Sequence, residues 1–331
     1  MQKQYSSTWA IRLVTTAVAV AVTTIVPLTV AAASTSTIPV GKSPWGVAVN
    51  SSTNTAYVTN LEGNSVSVIN GATKKVTTTI PVGGGPSGLA VNSATNTIYV
   101  ANSSTNTVSV INGATKKVTA SIPVGKSPGG ICVNPLTNTV YVANLFGNSV
   151  SVISGATKKV THTIPVIKGA GEIAVNSATN TIYVGNRNPS VTEISGATNR
   201  VTATITLGPM RVGSTPNSPG GIAVNSSTNT VYVSNYISSD FGRSLLFVIS
   251  GATKKVTGAI PVGRAPEYLA VNALTNTIYV GNLGDNNVSE INGTTKKVIK
   301  TISSRADGVA VNPSTNALFV VNSLANSVSV L

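Results

Sequence analysis

The sequence is poor in the residues on which most enzymes and metal proteins rely. One Cys and one His stand among 331 residues. That excludes a disulfide framework, a Cys-based zinc site and a multi-His metal centre. Acids are also scarce: 8 Asp+Glu against 22 Lys+Arg give a formal charge of +14 and leave few general acid–base candidates. Only 9% of residues are charged, which excludes a disordered polyelectrolyte, and 41% apolar content suffices for a core. No phosphate-binding loop, nucleophile elbow or nicotinamide fingerprint is present, and no cofactor is expected.

What is present begins with an address. Lys3 and Arg12 precede an uncharged run from Leu13 to Val30, which exits through Ala31, Ala32 and Ala33. This is the layout of a secretory signal peptide at residues 1–33, with cleavage expected after Ala33. The alternative is an uncleaved anchor. Pro27 and Thr15, Thr16, Thr23, Thr24 and Thr29 weaken it, because a spanning helix wants about 20 mainly apolar residues. The expected mature chain, residues 34–331, is a single domain that is exported (periplasmic, secreted or at the cell surface), monomeric and without an integral membrane segment.

That domain is built from repeats. The tripeptide AVN, once CVN, ends at Asn50, Asn92, Asn134, Asn176, Asn225, Asn272 and Asn312, in steps of 42, 42, 42, 49, 47 and 40. Each copy continues into Tyr57-Val58-Thr59-Asn60 or its equivalent, with Phe319 replacing Tyr in copy seven. Next come a Val-rich run such as Ser65–Ile69, an Asn-Gly-Ala-Thr turn and a segment such as Lys74–Val82. Each copy thus reads as four short strands rich in Val, Ile, Thr and Tyr, separated by Asn/Ser/Thr/Gly turns. Four strands in about 40–45 residues make a propeller blade, and the spacing predicts an all-β, seven-bladed propeller of antiparallel blades.

The chain ends point the same way. Ser327–Leu331 is the third strand of copy seven, and its missing fourth strand stands at the other end of the domain, in Thr35–Val40. An N-terminal strand that completes the last blade closes the ring and removes two open edges. Pro39, Pro81, Pro123, Pro165 and Pro261 fall in fourth strands, where an edge tolerates proline. Ala48 and its equivalents, with Cys132 in copy three, supply a small residue in each first strand, as close packing near an axis demands.

With first strands innermost, the fourth-to-first and second-to-third connections emerge on one face, the top. Both insertions of the long copy five lie there, around 208–214 and 236–244. Insertions gathered on one face of a repeat array often mark its binding side. The same face carries cations at equivalent loop positions: Lys42, Lys126, Lys168, Arg264 and Arg305, with Arg211 and Arg243 in the insertions. Trp45 and Tyr268 lie just inside these loops, and Tyr236 and Phe241 sit in the second insertion. Cations interleaved with aromatics suit an anionic ligand, including single-stranded nucleic acid. These ten residues are the expected ligand site: Lys42, Trp45, Lys126, Lys168, Arg211, Tyr236, Arg243, Arg264, Tyr268 and Arg305. The Lys pairs such as Lys74-Lys75 read as a solvated rim that discourages edge pairing. No catalytic residue is expected: His162 is in an outer strand, and Cys132 reads as a small hydrophobe. Glu172, Glu267 and Asp307 begin first strands near the top, where they could meet around the channel as oxygen ligands.

The repeat AVN-[SP]-x-TN-x-[IV]-YVxN followed by SVSVI-[NS]-GATKKV resembles the YVTN-repeat β-propeller family, over about residues 35–331. The family occurs in bacterial extracytoplasmic and archaeal surface-layer proteins. The resemblance implies a binding or surface protein, and one bacterial periplasmic branch binds single-stranded DNA. The expected function is therefore a non-enzymatic, exported module that recognises an anionic ligand, envelope polymer or protein partner through its top face. An adhesive or structural surface propeller and a metal-dependent lactonase or lyase are the alternatives.

Overall fold

A computed structural model describes residues 36–331 apart from 168, 209–210, 213–214, 217 and 237–243, and gives no side-chain surroundings for 211–218 and 236. Thr35–Leu331 form one compact unit. The expected leader, residues 1–33, lies outside the described residues.

Seven four-stranded antiparallel sheets follow one another along the chain. Blade one consists of the strands Pro44–Asn50, Thr55–Asn60, Ser65–Asn70 and Lys75–Pro81, paired in that order. Blades two to six repeat the order, and neighbouring blades touch through their first strands. Blade seven is built from Val309–Val311, Leu318–Asn322 and Ser327–Val330, and its outer strand is Ser36–Pro39. The register of that closing pair is Ser36↔Val330, Thr37↔Ser329, Ile38↔Val328 and Pro39↔Ser327. The seven-bladed propeller expected from the sequence, closed by its N-terminal strand, is the fold. Leu283–Asp285 form a 3-10 turn, the one helical element among the described residues. None of these residues forms a helix long and apolar enough to cross a membrane.

The apolar core is divided into slabs between adjacent blades. Tyr57, Val66, Val68 and Ile80 of blade one pack on Leu89, Ile98, Val100 and Ile111 of blade two. At the closure, Ile38, Phe319, Val321 and Val328 pack on Ala56, Val58 and Ile69. The Tyr of each YVxN signature is buried, as is Phe319 in its place. A blade is therefore a two-sided sheet, apolar toward both neighbours, and its strands carry near-continuous β-branched runs.

The asparagines explain why the repeat is so regular. Each AVN asparagine is fully buried and donates its Nδ2 to the side chain of the TN asparagine in the next blade. The bonds run from Asn50 to Asn96 (2.8 Å), Asn92 to Asn138 (2.9 Å), Asn134 to Asn180 (2.8 Å), Asn176 to Asn229 (2.8 Å), Asn225 to Asn276 (2.8 Å) and Asn272 to Asn316 (2.9 Å). Asn312 donates to Asn54 at 2.8 Å and completes the circuit. The acceptors all have positive φ, which asparagine tolerates better than other side-chain-bearing residues. The YVxN asparagine works within its blade: Asn60 donates to Ser65 and Ser67 of the third strand, at 3.0 Å each.

Candidate functional site

The first strands converge on an axial channel, and their opening residues form its upper mouth. The residue just before the first apolar position of the strand is Gly46, Gly88, Gly130, Glu172, Gly221, Tyr268 and Gly308 in blades one to seven. Glycine is required at five of these because the next blade comes too close. A Cβ on Gly46, Gly88, Gly130, Gly221 or Gly308 would collide with the backbone oxygen of Ser87, Gly129, Gly171, Glu267 or Trp45. Blades four and six break this rule, and the second strand compensates. Opposite Tyr268 stands Gly281, and the amide of Gly185 donates to the carbonyl of Glu172 at 2.9 Å. The other five second strands carry a side chain there, Thr59 and Ser234 among them. Glycine has moved from one strand to its neighbour, and two large polar side chains have gained access to the channel.

The result is a cavity of about 240 Å³, lined by Trp45, Ser87, Glu172, Glu267, Tyr268 and the glycines between them. A second cavity, about 210 Å³, shares Glu172 and Glu267 and runs toward Asn186 and Arg187. The Trp45 and Tyr268 rings meet edge to face, 6.1 Å apart at 88°. Glu172 is open to water in the channel yet hemmed in by protein; that crowding, with the charge of Glu267, pushes its pKa up to about 7. Burial also raises Glu267, against the nearby Tyr268 hydroxyl, which lowers it, while Asp307 adds to the rise. Burial and the three carboxylates raise the Tyr268 phenol strongly. Its hydroxyl is shielded from water and lies near Glu267 without completing a hydrogen bond of good geometry.

Of the expected cations, Lys42, Lys126, Arg264 and Arg305 are described, and none of these four lines this cavity. Lys42 pairs with Glu62 at 3.0 Å, both well exposed. Arg264 pairs with Asp285 at 2.6 Å, and this holds the Asp285 carboxyl below its usual range. Arg305 grips Asp307 through two nitrogens at 2.9 and 3.0 Å, while Ser323 donates to the same carboxylate from its amide and hydroxyl. Asp307 is thus committed to a structural knot and leaves Glu172 and Glu267 as the carboxylates of the cavity. Lys126 is exposed. Lys168 and Arg243 lie outside the described residues, as does Phe241. Arg211 and Tyr236 lie in strands, the first in a small hairpin of Arg211–Val212 with Thr215–Pro216, but their side chains are not described. Of the ten expected residues, Trp45 and Tyr268 are the pair that the described structure brings into one cavity.

Elsewhere, His162 sits on the outer strand of blade three, 3.3 Å from the Asn199 side chain. Cys132 is a free thiol whose pKa is raised by burial, so it is a poor nucleophile. At the lower end, the first Lys of each pair has positive φ at Lys74, Lys116, Lys158, Lys254 and Lys296. Several of these reach back to the preceding blade: Lys254 to buried Glu193 at 2.7 Å, Lys158 to Thr119 at 3.1 Å, and Lys116 over the Tyr57 ring at 5.4 Å. The next residue begins the outer strand and points to solvent. Lys75, Lys117, Lys159, Arg200, Lys255 and Lys297 hold this place on six consecutive blades, all exposed and with no ion pair among the described residues.

Seven blades, a closing N-terminal strand and a channel mouth shaped by glycine define a repeat-built β-propeller. The chain belongs to the YNCE-like beta-propeller family, whose model matches residues 40–137 and 85–331. No curated protein sequence matches it. Among solved structures it is similar to the Kuenenia stuttgartiensis Hydrazine Synthase, with a TM-score of 0.78 and 19% identity over 87% of this chain and 95% of that one. At that identity the likeness concerns the fold alone.

Proposed function

We propose that this chain is a non-enzymatic, exported binding propeller that docks on an anionic polymer through the lower ends of its outer strands. The observation that carries this reading is the belt of Lys75, Lys117, Lys159, Arg200, Lys255 and Lys297, exposed and unpaired among the described residues. On the top face, by contrast, Lys42, Arg264 and Arg305 each have a carboxylate partner. Like charges repeated on a rigid ring focus potential along a path and suit a partner whose negative charges also repeat. The outer strands and the turns leading into them contain no Phe, Trp or Tyr, and His162 is the one ring-bearing side chain other than proline there. Base stacking therefore has no platform there, and a single-stranded nucleic acid would be held by its phosphates alone. Export rests on the leader-like residues 1–33. Absence of catalysis rests on the placement of the one histidine, His162, on an outer strand away from Glu172 and Glu267.

The test is binding to long-chain polyphosphate as salt rises from about 50 to 200 mM, where an electrostatic contact weakens steeply. Replacing Lys75, Lys117, Lys159, Lys255 and Lys297 together by Gln is expected to weaken binding at least about tenfold, while K42Q with K126Q changes it little. The opposite ordering would return the anion site to the top face. Binding indifferent to salt would remove the electrostatic reading altogether.

A further inference from the structure

The channel mouth has the opposite chemistry to the belt. Its described lining carries two carboxylates, Glu172 and Glu267, and no cation. Arg187 lines the side cavity and lies over the Phe146 ring, 5.8 Å from its centroid. Two further features separate this place from a mere pair of acids. Trp45 and Tyr268 supply an aromatic corner to the same cavity, and Trp45 keeps 37% of its surface exposed. The Tyr268 hydroxyl is shielded from water and lies beside Glu267. The glycine exchange between strands in blades four and six gives Glu172 and Tyr268 their places without opening the ring elsewhere.

We infer that the mouth of the channel binds a small organic ammonium ion, held between the carboxylates of Glu172 and Glu267 and the aromatic corner of Trp45 and Tyr268. Opposite charge and the negative faces of aromatic rings both attract such a cation. A hard metal ion fits less well. It wants six or more oxygen ligands, and no group of three His, Cys, Asp or Glu side chains that could hold one occurs among the described residues. The cavity volume, about 240 Å³, suits a ligand of a few heavy atoms more than a polymer.

The full chain is titrated calorimetrically with choline and, separately, with 3,3-dimethylbutan-1-ol, its uncharged isostere. Choline is expected to bind saturably with a Kd below about 10 mM, and the alcohol at least about tenfold more weakly. E172Q with E267Q, and W45A alone, are each expected to weaken choline at least about tenfold, while K117Q leaves it unchanged. Equal binding of the alcohol, no saturable binding of choline, or displacement of choline by magnesium at a lower concentration would overturn the inference. Should the double variant fail to fold by circular dichroism, the comparison of choline with its isostere on the unaltered chain decides the matter. Because K117Q belongs to the belt, failure of this site leaves the polyanion reading standing, and the reverse.

Discussion

The two ends of each blade obey different rules. At the lower end, seven AVN asparagines make the same bond to seven TN asparagines, and six blades in a row present a cation at the start of the outer strand. At the upper end, five blades share a glycine, while blades four and six replace it with Glu172 and Tyr268. A feature present in every copy is what each blade needs in order to sit beside the next. A departure in one or two copies, compensated locally, marks where the ring does something besides hold together.

The sharpest way to test that division is to compare the two kinds of glycine. Gly88→Ala places a Cβ against the Gly129 backbone oxygen, which cannot yield without moving a blade. It is expected to cost about 2–3 kcal/mol in urea unfolding. In Gly185→Ala the Cβ meets the Pro219 side chain at 3.2 Å, and a loss below about 1 kcal/mol is expected. Equal losses would mean that blade four is as tightly confined at Gly185 as blade two is at Gly88.

Next in size is the asparagine circuit. Asn92→Ala removes the bond to Asn138 and the Asn92 acceptor of the Ala94 amide. A loss of about 1–2 kcal/mol is expected, and the same within about 0.5 kcal/mol for Asn134→Ala and Asn272→Ala. A wide spread among the three would break the claim that the lower end is uniform.

The smallest effect concerns pH. Glu172 has a folded-state pKa raised from 4.5 to about 7, so the folded chain holds this proton more tightly than the unfolded one. The groups facing it are Glu267, Tyr268 and, further off, Asp307 with its partner Arg305; Arg187 shares the side cavity. Its stabilising share is present below pH 4.5 and is lost as pH rises toward 7. Glu172→Gln should therefore gain melting temperature relative to the unaltered chain across that interval and hold the gain above it. A constant offset between pH 4 and pH 8, on the order of the ordinary carboxylate-to-physiological span, would show that the Glu172 proton is not linked to folding.

Much of this is legible in the sequence alone. The 42-residue step, the four Val- and Thr-rich runs and the stray strand Thr35–Val40 suffice for the ring, because period and strand count leave few other architectures. The loop cations Lys42, Arg264 and Arg305 can be picked out in the sequence. Their partners cannot, since Glu62, Asp285 and Asp307 meet them only once separate turns are brought together. Trp45, Tyr268, Glu172 and Glu267 were each noticed, but as parts of different patterns. The missed signal was the alignment of Gly46, Gly88, Gly130, Gly221 and Gly308, broken at blades four and six where Gly185 and Gly281 stand on the next strand. The asparagine circuit was missed for a different reason. Asn50 and Asn96 are 46 positions apart, and a turn former reads as a local residue until the neighbouring blade is known.

The pairing of Ser36 with Val330 sets the two extremities of the propeller side by side within blade seven, where hydrogen bonds and no peptide link complete the sheet. The bond of Asn312 to Asn54 then joins that completed blade to blade one as it joins every other neighbouring pair. The order in which a ribosome makes the blades is therefore separable from the order in which they stand. A gene that joined the present extremities and opened at Gly84 instead would encode the same circle starting from a different blade.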